Sequence, residues 1–366
     1  MFSGREGDVL STQAARAARA IDGRLRDLLV RLELGPSISP VNDLAFERQQ
    51  FLRHGREPRF RYRAPPEVGS FDIGLRDLDA PAPVLELYEE KLEELRKYER
   101  MFRLLGSDDF TAMSVELYRA PNATDINTAR ATLERLADVA PLEYCIPAQE
   151  LGRRLQARLG ELGIPLRVEF DAEMGTTVSV EAAAGRIKLN PDARYSEPHI
   201  ARLVVHEVDV HALRIQNGLQ CPWALFSLGA AGYRELEEGL AVYHEDVTGH
   251  LYDFQAKNYA ARCYAIHLAL SHGFADVFEA LQCYFDDAHA FRHAARVKRG
   301  LRDTSRPGAL TKDYHYVSGP RRVREYLDAG EDRRLLFGGK IGFHHTEVLA
   351  GLIARGAIDP ERWMVP

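Results

Sequence analysis

The stretch Leu203–Arg214, LVVHEVDVHALR, sets His206 and His211 five residues apart inside an otherwise apolar helical segment. On a regular α-helix, positions four apart differ by about 40° around the axis, and positions five apart by about 140°. A straight helix therefore points the two imidazoles to different sides. A π-bulge absorbs one extra residue and returns them to one face, and such bulges concentrate at functional sites. The fold must either build that irregularity or carry a polar interruption in a buried helix. A local pairing of Glu207 with His211, four apart, competes with a shared role for the histidines, and a variant metal reading uses His206 with Asp209, three apart.

Two imidazole nitrogens and one carboxylate oxygen are a common ligand set for catalytic zinc, which keeps a further position open for water. Glu207, beside His206, is then a candidate base for that water. The third ligand must come from elsewhere in the chain. YRELEEGLAVYHED, Tyr233–Asp246, reads as a helix carrying the adjacent Glu237 and Glu238. Gly239 and Ala241 are small enough to let a second helix pack closely. The connection NGLQCPWALFSLGAAG is long enough to turn the chain round. Glu245 lies seven residues after Glu238, near the same face, where it can orient a ligand histidine. His344 and His345 read as structural or exposed, because adjacent histidines rarely share one metal.

Around these segments the pattern is helices, then short strands, then helices. STQAARAARAIDGRLRDLLVRLEL, APVLELYEEKLEELRKYERMFRLLG, TDINTARATLERLADVA and AQELGRRLQARLGELG have helical periodicity. GPSISPVND marks a break. IPLRVEF, TTVSVEA and GRIKLN alternate apolar and polar residues and predict a small antiparallel sheet. Ser196 is placed to cap the next helix, with Pro198 in its first turn. The expected class is α+β, mostly helical, with the sheet next to the histidine helix. A soft boundary near residue 145 divides an N-terminal helical region, 1–145, from a catalytic domain, 146–366. In FERQQFLRHGREPRFRYRAPPE, arginines alternate with aromatics around Phe60 and Tyr62. This reads as an exposed arm that packs its aromatics, with an anion-binding ribbon as the alternative.

Composition narrows the function classes. The formal charge of the 366-residue chain is −6 and its pI about 6.1, which gives no electrostatic case for nucleic acid or anionic membranes. The four cysteines are scattered and form no C-x-x-C pair, so reduced buried thiols are expected rather than disulfides. The charged N-terminus carries no signal-like apolar core, and no apolar run reaches about 20 residues. The expectation is a cytoplasmic protein.

HEVDVH followed by EEGLA resembles a group of bacterial proteins named for a QEGLA motif. That group is related to the eukaryotic microtubule-associated tyrosine carboxypeptidases, which remove a C-terminal tyrosine from tubulin. TKDYHYVSG, Thr311–Gly319, is similar to the family's T-K-D-x-x-Y-x-x-G segment, and PVND and GRIKLNPDARYS fit its style. The resemblance extends from about residue 30 to the end of the chain. It implies a gluzincin-like zinc site with His206, His211 and Glu238 as ligands and Glu207 as general base. Glu238 is chosen because the family's retained acid directly precedes glycine; Glu237, where many bacterial members carry glutamine, becomes a supporting residue beside Glu245. Dipeptidyl peptidases with the same histidine spacing also place a Glu-Glu pair downstream.

The resemblance further implies a zinc metallocarboxypeptidase that acts on the C-terminus of a peptide or protein and removes a terminal tyrosine or phenylalanine. Tyr316 is then the candidate donor to the oxyanion. Lys312 is the first candidate for the substrate carboxylate, ahead of Arg321 and Arg322, while Arg214 can brace the site. The strand GRIKLN is expected to offer an open edge to an extended peptide. Rival readings are a zinc hydrolase of a non-peptide substrate and a non-catalytic regulatory or binding protein that keeps the fold.

Overall fold

The computed structural model describes residues 5–33, 37–174 and 176–366. Residues 1–4, Leu34 at the end of the first expected helix, Gly35 and Pro36 in the break after it, and Gly175 lie outside the described residues. The chain is mostly helical, as its periodicity predicts. The expected N-terminal helices form at Arg5–Arg31, Ala82–Arg103 and Ala123–Arg135, and a fourth at Ala148–Glu161. Local chemistry sets their ends. Asn122 and Asp125 form a reciprocal capping box at the start of the third helix, satisfying two backbone donors that the helix leaves free.

The described residues form five short strands, the first just before the fourth helix and the rest after it: β1 Ile146–Pro147, β2 Arg167–Phe170, β3 Val178–Glu181, β4 Arg186–Leu189 and β5 Arg194–Tyr195. β3 pairs antiparallel with β4, as expected, and β1 pairs antiparallel with β5 in a two-residue ladder outside the three expected strands. β2 differs. It runs parallel to β4, and the sheet order is β2-β4-β3. β4 lies between β2 and β3, and the β3–β4 hairpin places it there. GRIKLN is therefore the central strand, bonded along both sides, and the expected open edge for a peptide does not exist there.

Ser196 caps the next helix, Glu197–Val204, by accepting from the His199 backbone N–H, and Pro198 lies in its first turn. That helix runs without a break into a π-helix, Val205–Ala212, and then into α-helix Leu213–Leu219. Arg234–Val247, which carries EEGLA, packs along the helix His315–Asp328, which completes TKDYHYVSG.

Apolar burial forms three cores. One joins Leu25, Tyr88 and Phe102 to Phe226 and Leu349. A second joins Phe60 and Leu133 to Phe274 and Phe291. The third packs Leu155, Ile187, Val208, Val210 and Leu240 beneath the histidine helix. Residues from both sides of position 145 share the first two. Among the described residues, no helix is long and apolar enough to cross a membrane. Cys221 and Cys263 are buried and Cys145 and Cys283 exposed; all four are free thiols.

Candidate metal centre

The π-helix answers the spacing of the histidines. Its i→i+5 bonding brings residues five apart to one face. The His206 and His211 rings stand 4.6 Å apart, centroid to centroid, at 80°. π-helix is uncommon, and here it is held in place from outside: Val208, Val210 and Ala212 are fully buried in the third core. Neither the local Glu207–His211 pair nor the variant metal reading through Asp209 is built. Asp209 is bonded to Arg158 at 2.8 Å, and His211 faces Glu237 rather than Glu207.

Glu238 comes to the same point from the facing helix. One donor atom from each of His206, His211 and Glu238 lies within 4.8 Å of the other two. The approach is set by glycine. A Cβ on Gly239 would lie 2.4 Å from the Gly319 carbonyl carbon, so the two helices cross with their backbones touching. Gly239 meets the close neighbour that its size predicted, and that neighbour belongs to TKDYHYVSG.

Each histidine is backed by a carboxylate. His206 Nδ1 is 2.5 Å from Glu245 Oε1, and His211 Nδ1 is 3.3 Å from Glu237 Oε1. This leaves the Nε2 atoms to face the third side chain: His206 Nε2 is 3.5 Å from Glu238 Oε2. Both supporting acids are themselves neutralised. Arg202 donates to Glu245 at 2.6 Å, and the Tyr259 hydroxyl does so at 3.0 Å. Glu237 is paired with Arg214 and with Lys340, the latter at 2.9 Å.

Among the described residues no arginine or lysine pairs with Glu238, whose nearest positive partner is the His206 ring itself, 3.5 Å away. Its Oε2 is buried and makes no hydrogen bond. A buried carboxylate oxygen without a partner is costly. The donor set suits zinc chemically: two nitrogens and one oxygen, with a carboxylate hydrogen-bonded to Nδ1 of His206 and a second carboxylate near, but not hydrogen-bonded to, Nδ1 of His211. The 3.5 Å between Nε2 and Oε2 is also short enough for both atoms to sit about 2.1 Å from one ion.

Burial acts first on every charge here, and its neighbours decide the outcome. Burial pushes the Glu207 carboxyl up, and although His206 and Arg202 pull it down, it stays above the usual carboxylate range. His206 is held up at about 10 because Glu238 and Glu245 outweigh its burial. His211 is pushed down to about 4, since Glu237 only partly offsets burial.

Tyr316 stacks on Tyr259, with ring centroids 4.7 Å apart and planes within 6°, and the Arg262 guanidinium lies 4.8 Å from its ring. Its hydroxyl has no hydrogen-bond partner among the described residues, and the Glu238 charge adds to burial in raising its pKa. Lys312 Nζ lies 3.1 Å from Asp313, which also pairs with Arg296, and the Glu238 charge acts on this lysine too. Arg321 and Arg322 are spent elsewhere, on Asp125 and Glu235. Arg214 braces Glu237, as its position suggests.

His344 is exposed, and His345 is buried against Glu90 at 3.0 Å. The Gly342 backbone N–H donates to His345 Nδ1 at 3.3 Å, so Nε2 carries the proton toward Glu90. Both His345 ring nitrogens are thus occupied, while one donor atom from each of Glu90, His344 and His345 also lies within 4.8 Å of the other two. Sequence reasoning missed Arg202 and Lys340. Arg202 stands one turn before His206 in the same helix, and that spacing is a usable signal. Lys340 comes from a distant loop, and nothing local announces it.

Two helices joined through glycine, one of them carrying a π turn, thus present a His-His-Glu donor set with carboxylate-backed imidazoles. The sequence model of the family described as microtubule-associated tyrosine carboxypeptidase matches residues 49–366. The chain belongs to that family. It is 29% identical over 166 residues to human microtubule-associated tyrosine carboxypeptidase 1, an alignment covering 43% of this chain and 33% of that protein. The mouse protein of the same name is 29% identical over 153 residues, covering 39% and 32%. A mouse protein named putative tyrosine carboxypeptidase MATCAP2 is 26% identical over 261 residues, covering 64% of this chain and 49% of its own length. The chain thus spans about a third of the length of the first two relatives.

Proposed function

We propose that this protein is a zinc-dependent carboxypeptidase that removes a C-terminal tyrosine or phenylalanine from a peptide or protein. The observation that carries the reading is the convergence of His206, His211 and Glu238 within 4.8 Å, with an unpartnered buried oxygen on Glu238. The names of its relatives support the reaction class.

In this reading His206, His211 and Glu238 hold the ion, which when bound supplies Lewis acidity at the scissile carbonyl and at water. Glu207 takes the proton from the attacking water and delivers it to the departing amine. Its buried position suits this role, because a raised carboxyl pKa brings the group nearer to working pH. The Tyr316 hydroxyl donates to the oxyanion as the carbonyl becomes tetrahedral. Lys312 supplies positive charge for the terminal carboxylate. Glu245 and Glu237 keep the two imidazoles in register, and Arg202, Arg214 and Lys340 keep those acids ionised.

The test compares peptides ending in tyrosine, in phenylalanine and in tyrosinamide. Release of the terminal aromatic residue from the free-acid peptides, with little from the amide, is expected. Cleavage that ignores the terminal carboxylate, or activity that survives Glu207→Gln, contradicts the reading.

A further inference from the structure

The arginine-rich segment noted in the sequence is left unused by the metal centre, and its structure is specific. Phe60 is fully buried in the second core. The Tyr62 hydroxyl donates to the Leu301 carbonyl at 2.9 Å and accepts from the Gly300 N–H at 2.8 Å. The aromatics therefore pack inward, as the plainer sequence reading expects. The backbone between them is fixed from both sides. Phe60 N–H donates to Arg302 O at 2.9 Å, Arg61 N–H donates to the Asn42 side chain at 2.8 Å, and Val41 N–H donates to Arg61 O at 2.9 Å.

With Phe60 and Tyr62 turned in, the alternating residues Arg59, Arg61 and Arg63 turn out together, in steps of about 6.7 Å. They face Arg103 and Arg302 across a cavity of about 710 Å³. Five arginines and no acidic residue line it among the described residues, on a chain whose net charge is −6. Arg59 is paired with Asp303 and Arg103 with Glu99, both at the surface. Arg61, Arg63 and Arg302 have no ion-pair partner among the described residues. Three of the five guanidinium charges are thus left without an ion-pair partner, on a backbone fixed at residues 60–61.

We infer that this cavity binds a compact ligand carrying clustered phosphate groups. Three features select that class. Guanidinium forks match phosphate oxygens in pairs, and several unpaired forks demand several charges close together. The volume lies in the range of small-molecule sites, about 300–1,000 Å³. An acidic polypeptide would need an open strand edge to lie along the ribbon, and the backbone at residues 60–61 is already bonded on both sides. This inference does not depend on the metal centre.

The experiment is calorimetric titration of the full chain with inorganic tripolyphosphate at physiological salt, beside Arg61→Ser/Arg63→Ser. Both side chains are exposed and unpaired, so the variant keeps the fold, which circular dichroism verifies. It also keeps the metal centre, so any extraction of metal by the probe is common to both proteins. Saturable binding of one tripolyphosphate per chain, weakened at least about tenfold in the variant, is the expected result. Co-sedimentation with phosphatidylcholine vesicles containing phosphatidylinositol bisphosphate, lost in the variant, assigns the phosphates to a lipid headgroup; its absence assigns a soluble ligand. No saturable binding, equal binding by the variant, or tighter binding of hexaglutamate than of tripolyphosphate overturns the inference.

Discussion

Gly239 and Gly319 touch through their backbones: a Cβ on Gly319 would lie 2.5 Å from the Gly239 Cα and 2.6 Å from the Glu235 carbonyl oxygen. The contact falls one residue after Glu238 and three after Tyr316. It fixes how far the glutamate helix stands from the helix that carries the tyrosine. The contact is backbone against backbone, so no flexible side chain can yield to an added Cβ. Gly319→Ala is expected to lower stability by about 1–3 kcal/mol through overpacking. Urea unfolding measures this. A midpoint unchanged by the substitution would mean that the helices slide freely, and that the crossing does not set the site.

Glu245 tests whether the carboxylate behind His206 matters to the metal. Glu245→Gln keeps the size of the side chain but removes its charge from His206 and from Arg202. Zinc affinity is expected to fall roughly 10- to 100-fold, the usual cost of losing such an outer partner. Competition with a chromogenic chelator reads the constant on folded protein. Affinity equal to wild type would remove Glu245 from the account.

Glu207 separates chemistry from metal binding. It is buried beside His206 but belongs to no ligand set in the structure. Glu207→Gln is expected to hold zinc at the wild-type level while turnover drops by roughly 10²-fold or more. Steady-state hydrolysis of a tyrosine-terminated peptide, with zinc measured on the same sample, checks both halves. Loss of zinc in this variant would assign Glu207 to the ligands instead.

Much of this architecture is legible in the sequence, and the reasons are local. The five-residue spacing demands a π turn because helical geometry leaves no other way to bring His206 and His211 together, and the turn forms. Ser196 announces the helix start by its side chain alone. Gly239 announces a close neighbour by lacking one. The course of β2 was hidden, since alternation reports which faces are buried and says nothing of strand direction. Lys340 was hidden for a different reason: its role rests on long-range charge pairing with Glu237, which nothing near it in the chain announces, whereas Arg202, one turn before His206, left a usable spacing.

Removing the metal should be felt in stability as well as in activity. Without an ion, Glu238 keeps a buried oxygen that no hydrogen bond satisfies. A ligand bound only by the native state adds about 2.7 kcal/mol when present at 100 times its dissociation constant. Dialysis against a chelator is expected to lower the melting temperature, and zinc is expected to restore it. A melting temperature indifferent to both treatments would argue that the three side chains are a structural hydrogen-bonded cluster.

The central claim is that His206, His211 and Glu238 hold an ion, and metal content tests it most directly. Elemental analysis of the purified wild type and of Glu238→Ala, each with its folded state checked, is the decisive measurement. The account predicts about one zinc per chain in the wild type, as a three-ligand catalytic site holds, and substantial loss in the variant. Wild-type protein that carries no metal even after incubation with zinc, or a variant that retains it in full, would contradict the account.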